Sequence, residues 1–165
     1  MRNHTVAITL FWICTAALGA PEIVPLQISV ECVHNPKCSY EGGNMLLELT
    51  VTNGNPKDIV LPVEYLARRG PFIRLTDVRS QQRVSVGTGI PDYALRSSMR
   101  TLAPGESFRF HWTISKYEIE QLDGRPVHAT ADVALIDMDG VVSADKVKKF
   151  VGRTSFEIAQ PIGVR

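Results

Sequence analysis

Four residue sets in this chain have types and spacings that could do chemistry. The first is Cys32-Val33-His34-Asn35-Pro36-Lys37-Cys38. Two thiols and an imidazole this close could close a small disulfide loop or ligate a soft divalent metal. Asn35-Pro36 favours a turn that brings the sulfurs together. A tetrahedral metal site would need a fourth ligand or a second cysteine pair, and neither stands nearby. The second set is His111 and His128, which could approach across paired strands and share a metal. The third is Asp137-Met138-Asp139-Gly140, which has the look of a calcium loop but lacks the further oxygen ligands and the distant glutamate such a loop requires. An Asp-Gly hairpin turn accounts for it as well.

The fourth set is electrostatic. Between Arg68 and Arg100 stand seven arginines (68, 69, 74, 79, 83, 96 and 100) against Asp77 and Asp92, a segment of net +5. Such a segment could face an anionic envelope glycan or an acidic protein, or could be spread over solvated strand faces, where it also blocks edge-to-edge pairing. Nucleophile elbow, zinc-protease helix, phosphate loop and dinucleotide fingerprint are all missing from the sequence. No catalytic residue, metal site or cofactor is expected, and the chain reads as not an enzyme.

The elements that position these residues are short strands. Phe108, Phe110, Trp112 and Ile114 alternate with Arg109, His111 and Thr113, one set for each face of a strand. Ala103-Pro104-Gly105-Glu106 before them has turn chemistry: proline presets its φ and glycine accepts a positive one. Further strands are expected at Ile23–Val33, Asn44–Asn53, Ile59–Leu66, Phe72–Val78, Gln82–Val86, Pro126–Asp137 and Thr154–Ala159, with a partner beginning at Val141. Pro25 should confine the start of the first to an edge. Residues 145–153 read as basic and exposed. Ser115 with Glu118 fits a capping box for one helical turn, closed by Asp123-Gly124. Gly87–Met99 has no clear period and reads as a long loop with a helical turn at Tyr93–Ser97. Its Ile90, Pro91, Tyr93 and Leu95 are apolar residues on a loop, where binding commonly sits. The other expectation is that they tuck over the end of the core.

Seven to eight short strands with regular turns specify an all-β protein, an Ig-like antiparallel β-sandwich. Hydrophobic content of 44% and charged content of 21% belong to a globular chain rather than a disordered one. Residues 1–20 read as a signal peptide: Arg2, the apolar run Val6–Leu18, then small residues, with cleavage after Gly19 or Ala20. The run is short for a membrane span. Residues 21–165 are then one domain, exported to a periplasm or the extracellular space. Losing Arg2 takes the net charge from +1 to zero, which gives no support to nucleic-acid binding. Export also removes Cys14, so Cys32 and Cys38 remain as an even pair and the disulfide is favoured.

Leu26-Gln27-Ile28-Ser29-Val30, Leu47-Glu48-Leu49-Thr50-Val51-Thr52-Asn53-Gly54 and Leu102-Ala103-Pro104-Gly105-Glu106-Ser107 together resemble the non-catalytic, Ig-like N-terminal region of secreted deuterolysin and peptidyl-Lys-type metalloendopeptidases. The second of these stretches and the Ala-Pro-Gly-Glu turn are also similar to the bacterial proteinase-inhibitor-like domain. These resemblances imply an exported, non-enzymatic binding module, associated with a protease as inhibitor or chaperone-like partner. The alternative is an envelope-associated protein that uses the 68–100 segment on an anionic glycan or protein. The residues expected to meet a partner are Arg68, Arg69, Arg74, Ile90, Pro91, Tyr93 and Arg96.

Overall fold

The structure, a computed structural model, describes residues 22–122, 127–137, 140–143 and 146–159. In chain order the elements are β1 (Glu22–Cys32), β2 (Met45–Thr52), β3 (Ile59–Leu61), helix α1 (Val63–Arg69), β4 (Phe72–Asp77), β5 (Arg83–Val86), a 3₁₀ turn (Tyr93–Ser97), β6 (Arg100–Leu102), β7 (Ser107–Ile114), helix α2 (Lys116–Glu120), β8 (Ala129–Ile136), β9 (Val141–Ser143) and β10 (Lys146–Ile158). The protein is all-β, as the alternation requires. Seven strands form one curled path in the order β5-β4-β8-β10-β1-β2-β7, with β9 on β10 and a separate β3–β6 ribbon.

The sheet is mixed, because one pairing is parallel. Glu22–Leu26 of β1 runs parallel to Lys148–Gly152 of β10, whereas Gln27–Cys32 runs antiparallel to Leu47–Thr52 of β2. Each half of β1 therefore has one paired side and one open side. Pro25, which has no N–H to give, lies next to the change of partner, and its carbonyl accepts from Asn55 Nδ2 at 2.9 Å. The edge expected from Pro25 exists, but as half of a strand that belongs to two layers.

Period-two burial is clean where a strand has one wet face. Leu47, Leu49 and Val51 of β2 are fully buried, as are Ala129 and Ala131 of β8, with Val133 and Leu135 almost so. Each buried aliphatic side chain contributes about 1.5–3 kcal/mol by removal from water. The buried residues fall into two clusters. One surrounds Leu47, Leu49, Leu75 and Ile158; the other surrounds Val51, Leu61, Tyr65, Leu66 and Phe150; half-buried Phe110 packs against both.

Four expectations need correction, of which two concern pairing: the sheet is mixed and not wholly antiparallel, and the strand from Val141 pairs with β10 and not with β8. Ile59–Leu66 is not one strand: it is β3, then Pro62 at the N-cap, then α1. The helix has Glu64 in its first turn, Arg68 and Arg69 in its last, and buries Tyr65 and Leu66 over the second cluster. Charge at each end matches the helix dipole. Residues 146–153 are not an exposed basic stretch; they are the first half of β10, in which Phe150 and Gly152 are buried. β6, unforeseen, pairs with β3. The leader (1–20), Asp123-Gly124, and Met138-Asp139 lie outside the described residues. Among those described, no helix is long and apolar enough to cross a membrane.

Two turns lock against each other. Gly105, at φ 78, follows Pro104, and Glu106 N–H closes onto the Ala103 carbonyl. Buried Asn53 donates through Nδ2 to the carbonyls of Lys57 and Leu102 and accepts from Asn55 N–H. Its backbone bonds Gly105 and Glu106 as well. The capping box of α2 is complete, Ser115 and Glu118 each bonded to the other's backbone N–H.

Candidate functional site

The loop from Gly87 to Met99 leaves β5 and is held at several points along its length. At its base Gly89 N–H donates to the Arg69 carbonyl at 2.7 Å. A Cβ at Gly89 would run into the Arg68 carbonyl, and one at Gly70, whose φ is 76, would strike the Trp112 ring. The α1 terminus, the loop and Trp112 are thus packed backbone to ring, a closeness only glycine permits. Further along, Asp92 Oδ1 accepts from Ala94 N–H and starts the 3₁₀ turn. Half-buried Leu95 packs against the second core cluster.

Arg96 is the main anchor. Its guanidinium lies 4.9 Å from the Tyr65 ring centre, donates from Nη2 to the Gly140 carbonyl at 2.7 Å, and meets buried Asp137 at 3.4 Å. Tyr93 sits with its ring 6.0 Å from that of Tyr65. Above these anchors the tip stays in water: Ile90 is 88% exposed, Tyr93 65%, and Pro91 is exposed. Of the two expectations for this loop, Leu95 follows the tucked one and Ile90, Pro91 and Tyr93 the protruding one.

The remaining arginines do not gather around the tip. Arg68 is exposed on α1. Half-buried Arg69 lies 4.8 Å over the Phe72 ring and donates to the Ile136 carbonyl. Arg74 points outward from β4, on the far side of the sheet from the core. Arg100 pairs with Glu106 at 2.7 Å. That bond first, and the Ala103 N–H second, hold the exposed Glu106 carboxyl below its ordinary range. Asp77, buried in the β4–β5 turn, accepts from the N–H of Ser80, the Ser80 hydroxyl and the N–H of Arg79. The Ser80 N–H is the leading cause of its lowered pKa; burial opposes the shift without cancelling it.

Cys32 and Cys38 form the disulfide, their Cα atoms 5.4 Å apart. Asn35 clamps the loop through both side-chain atoms onto Ser39, and the Cys38 carbonyl and Tyr40 N–H bond to Ala159 beyond β10. The metal reading of Cys32, His34 and Cys38 is overturned by that bond. The two histidines are not brought together. His111 faces its cross-strand neighbour Glu48 at 3.6 Å, while His128 bonds to Glu157 on β10. Among the described residues no three metal-ligating side chains cluster.

Tyr65 and Phe72 are not singled out by the sequence, and neither is the burial of Asp137. Tyr65 was hidden by the strand expected over it, and nothing in an Asp-Gly turn announces that Asp137 is buried. Phe72, by contrast, could have been placed by alternation, since Ile73 and Leu75 take the dry face of β4. Comparison with models of known families and with curated proteins finds no match.

Proposed function

We propose that this chain is an exported, non-enzymatic binding module that grips a protease, as its inhibitor or chaperone-like companion, through the 87–99 loop. The observation that carries this reading is the exposed apolar tip Ile90-Pro91-Tyr93 on a loop fixed from beneath by Arg96. An apolar side chain left in water on a pinned backbone has little ordering entropy to lose on binding, which favours affinity. Tyrosine and isoleucine anchors of this kind suit a desolvated pocket on a partner. The resemblance to Ig-like modules of secreted metalloendopeptidases supplies the protease as the partner class.

The test is a pulldown with the domain from the producing organism's secreted and envelope fractions. A protease retained through high salt by the wild type and lost with Ile90→Asp/Tyr93→Ser, at unchanged thermal stability, would support the proposal. Retention by the double variant would sink it. A second reading draws on the exposed Arg68, Arg74, Arg79 and Arg83: an envelope-associated protein holding an anionic glycan or protein through the 68–100 segment. Salt-sensitive retention on an anionic matrix, indifferent to the tip variants, would favour it instead.

A further inference from the structure

The outer face of β5, β4, β8 and β10 is not flat. It curves into an open trough of about 720 Å³, within the size range of ligand clefts. Register fixes what lines it. One row across the strands reads Ser85, Arg74, Asp132, Ser155; the next reads Phe72, Ala134, Arg153. Ile136 lies beyond Ala134 on the same face. Phe72 is 37% exposed, and with Ala134 and Ile136 it gives the trough an apolar strip.

The charged members are the telling part. Arg74, Asp132 and Arg153 are all exposed, and none makes an ion pair or side-chain hydrogen bond with a described residue. Some exposed arginines elsewhere do find partners, Arg100 with Glu106 and Arg109 with Glu48, while others such as Arg83 find none among the described residues; what distinguishes Arg74 and Arg153 is that they line one trough. Two open guanidiniums against one carboxylate leave the trough positive. Arg74 and Arg153 stand two strands and one row apart, about 12 Å between Cα atoms by strand spacing and rise. Asp132 sits between them.

We propose that this trough binds an extended acidic segment of a partner protein. Carboxylates of that segment meet Arg74 and Arg153, while small aliphatic side chains rest on Phe72, Ala134 and Ile136. Guanidinium groups suit carboxylates because two parallel N–H donors match two oxygens. The aliphatic contacts favour a peptide with apolar side chains over a sulfated glycan, whose heavily hydrated rings gain less from Ala134 and Ile136. Asp132 adds discrimination: it repels an unbroken line of negative charge and accepts spaced carboxylates with a neutral residue between. This site stands apart from the loop tip and does not depend on the loop being a protease contact.

Fluorescence anisotropy with a labelled decapeptide alternating Asp and Val, at low ionic strength, tests the assignment. The wild-type chain should bind it. Arg74→Glu and Arg153→Glu should each weaken binding about tenfold or more, the loss expected for one charge-assisted hydrogen-bonded contact. Arg109→Glu, on the outer side of β7 in the opposite layer, and Ile90→Asp, at the loop tip, should leave it unchanged, with circular dichroism confirming that every variant folds. The proposal is overturned if the wild type does not bind at millimolar peptide or if either trough variant binds normally. It is equally overturned if an Asn-for-Asp peptide binds as well, or if a sulfated glycan binds more tightly through the same two arginines.

Discussion

At the residue scale, two buried polar side chains carry more of the fold than their number suggests. Asn53 spends its whole amide on carbonyls and N–H groups of two turns. Asn53→Ala leaves the Lys57 and Leu102 carbonyls without that donor, so a loss of about 2–3 kcal/mol is expected from urea midpoints at unchanged slope. Asp77 makes a pH statement. Its folded pKa lies below its ordinary 3.8, so the stability it contributes is complete above that value. It is lost as the pH falls through the lowered folded value. Asp77→Asn should therefore be less stable than wild type at neutral pH and should show a shallower acid limb in stability measured from pH 6 down to 2. An acid limb identical to wild type would show that the turn carboxylate contributes nothing. Both residues lie in segments whose turn character is legible, Asn53-Gly54-Asn55-Pro56 and the gap between β4 and β5. That they are buried is not legible, because burial of a polar residue depends on chain that arrives from far away in sequence.

At the element scale, β1, β2, β4, β5 and β7 are legible to within a residue or two, as are the 3₁₀ turn and the capping box of α2, whereas β8 begins three residues later than expected. Alternation and capping are local signals. What failed was local signal read across a boundary or outweighed by composition. Val63–Arg69 is rich in helix formers (Glu64, Leu66, Ala67, Arg68 and Arg69), a signal hidden by the apolar run Ile59–Leu61 before it; Pro62 ends β3, and the helix covers the second cluster with Tyr65 and Leu66. Residues 146–153 look solvated because Lys146, Lys148 and Lys149 break any alternation at their start, yet Phe150 and Gly152 take the dry face of a strand that runs beside β1. The loop tip was recognisable as a contact candidate, but the device that fixes it was not, since Arg96 and Asp137 are 41 positions apart. Arg96→Ala removes the guanidinium from Tyr65 and leaves Asp137 buried without its cation. A loss of about 3 kcal/mol is expected, as for breaking other buried pairs. Amide hydrogen exchange over residues 89–99 should accelerate far more than in β2. Uniform acceleration across the sheet would mean that the arginine stabilises the whole fold and does not specifically pin the loop. For α2, Ser115→Ala should cost about 1 kcal/mol through its cap.

At the scale of the whole molecule, the question is whether two core clusters make two folding units or one. Three connections argue for one. β1 gives its first half to β10 and its second to β2, so neither layer can leave without breaking the same strand. Phe110 packs on both clusters. The disulfide loop, closed by Cys32 at the end of β1, is sewn through Cys38 and Tyr40 to Ala159 at the end of β10. The chain has two tryptophans, and only Trp112 lies outside residues 1–20; it packs on the first cluster. Its fluorescence therefore reports one cluster while far-ultraviolet circular dichroism reports the whole sheet. In a chain lacking residues 1–20 the two unfolding curves should coincide, as for a two-state domain. Cys32→Ala/Cys38→Ala should lower both midpoints together, by about 2 kcal/mol for so small a loop, or about 4–8 °C in Tm at this chain length. If the fluorescence transition separates from the dichroism transition in the cysteine variant, the disulfide, and not the shared strand, is what joins the layers. If they separate already in the wild type, the clusters unfold independently and a partner at the loop tip would stabilise only the half that carries α1.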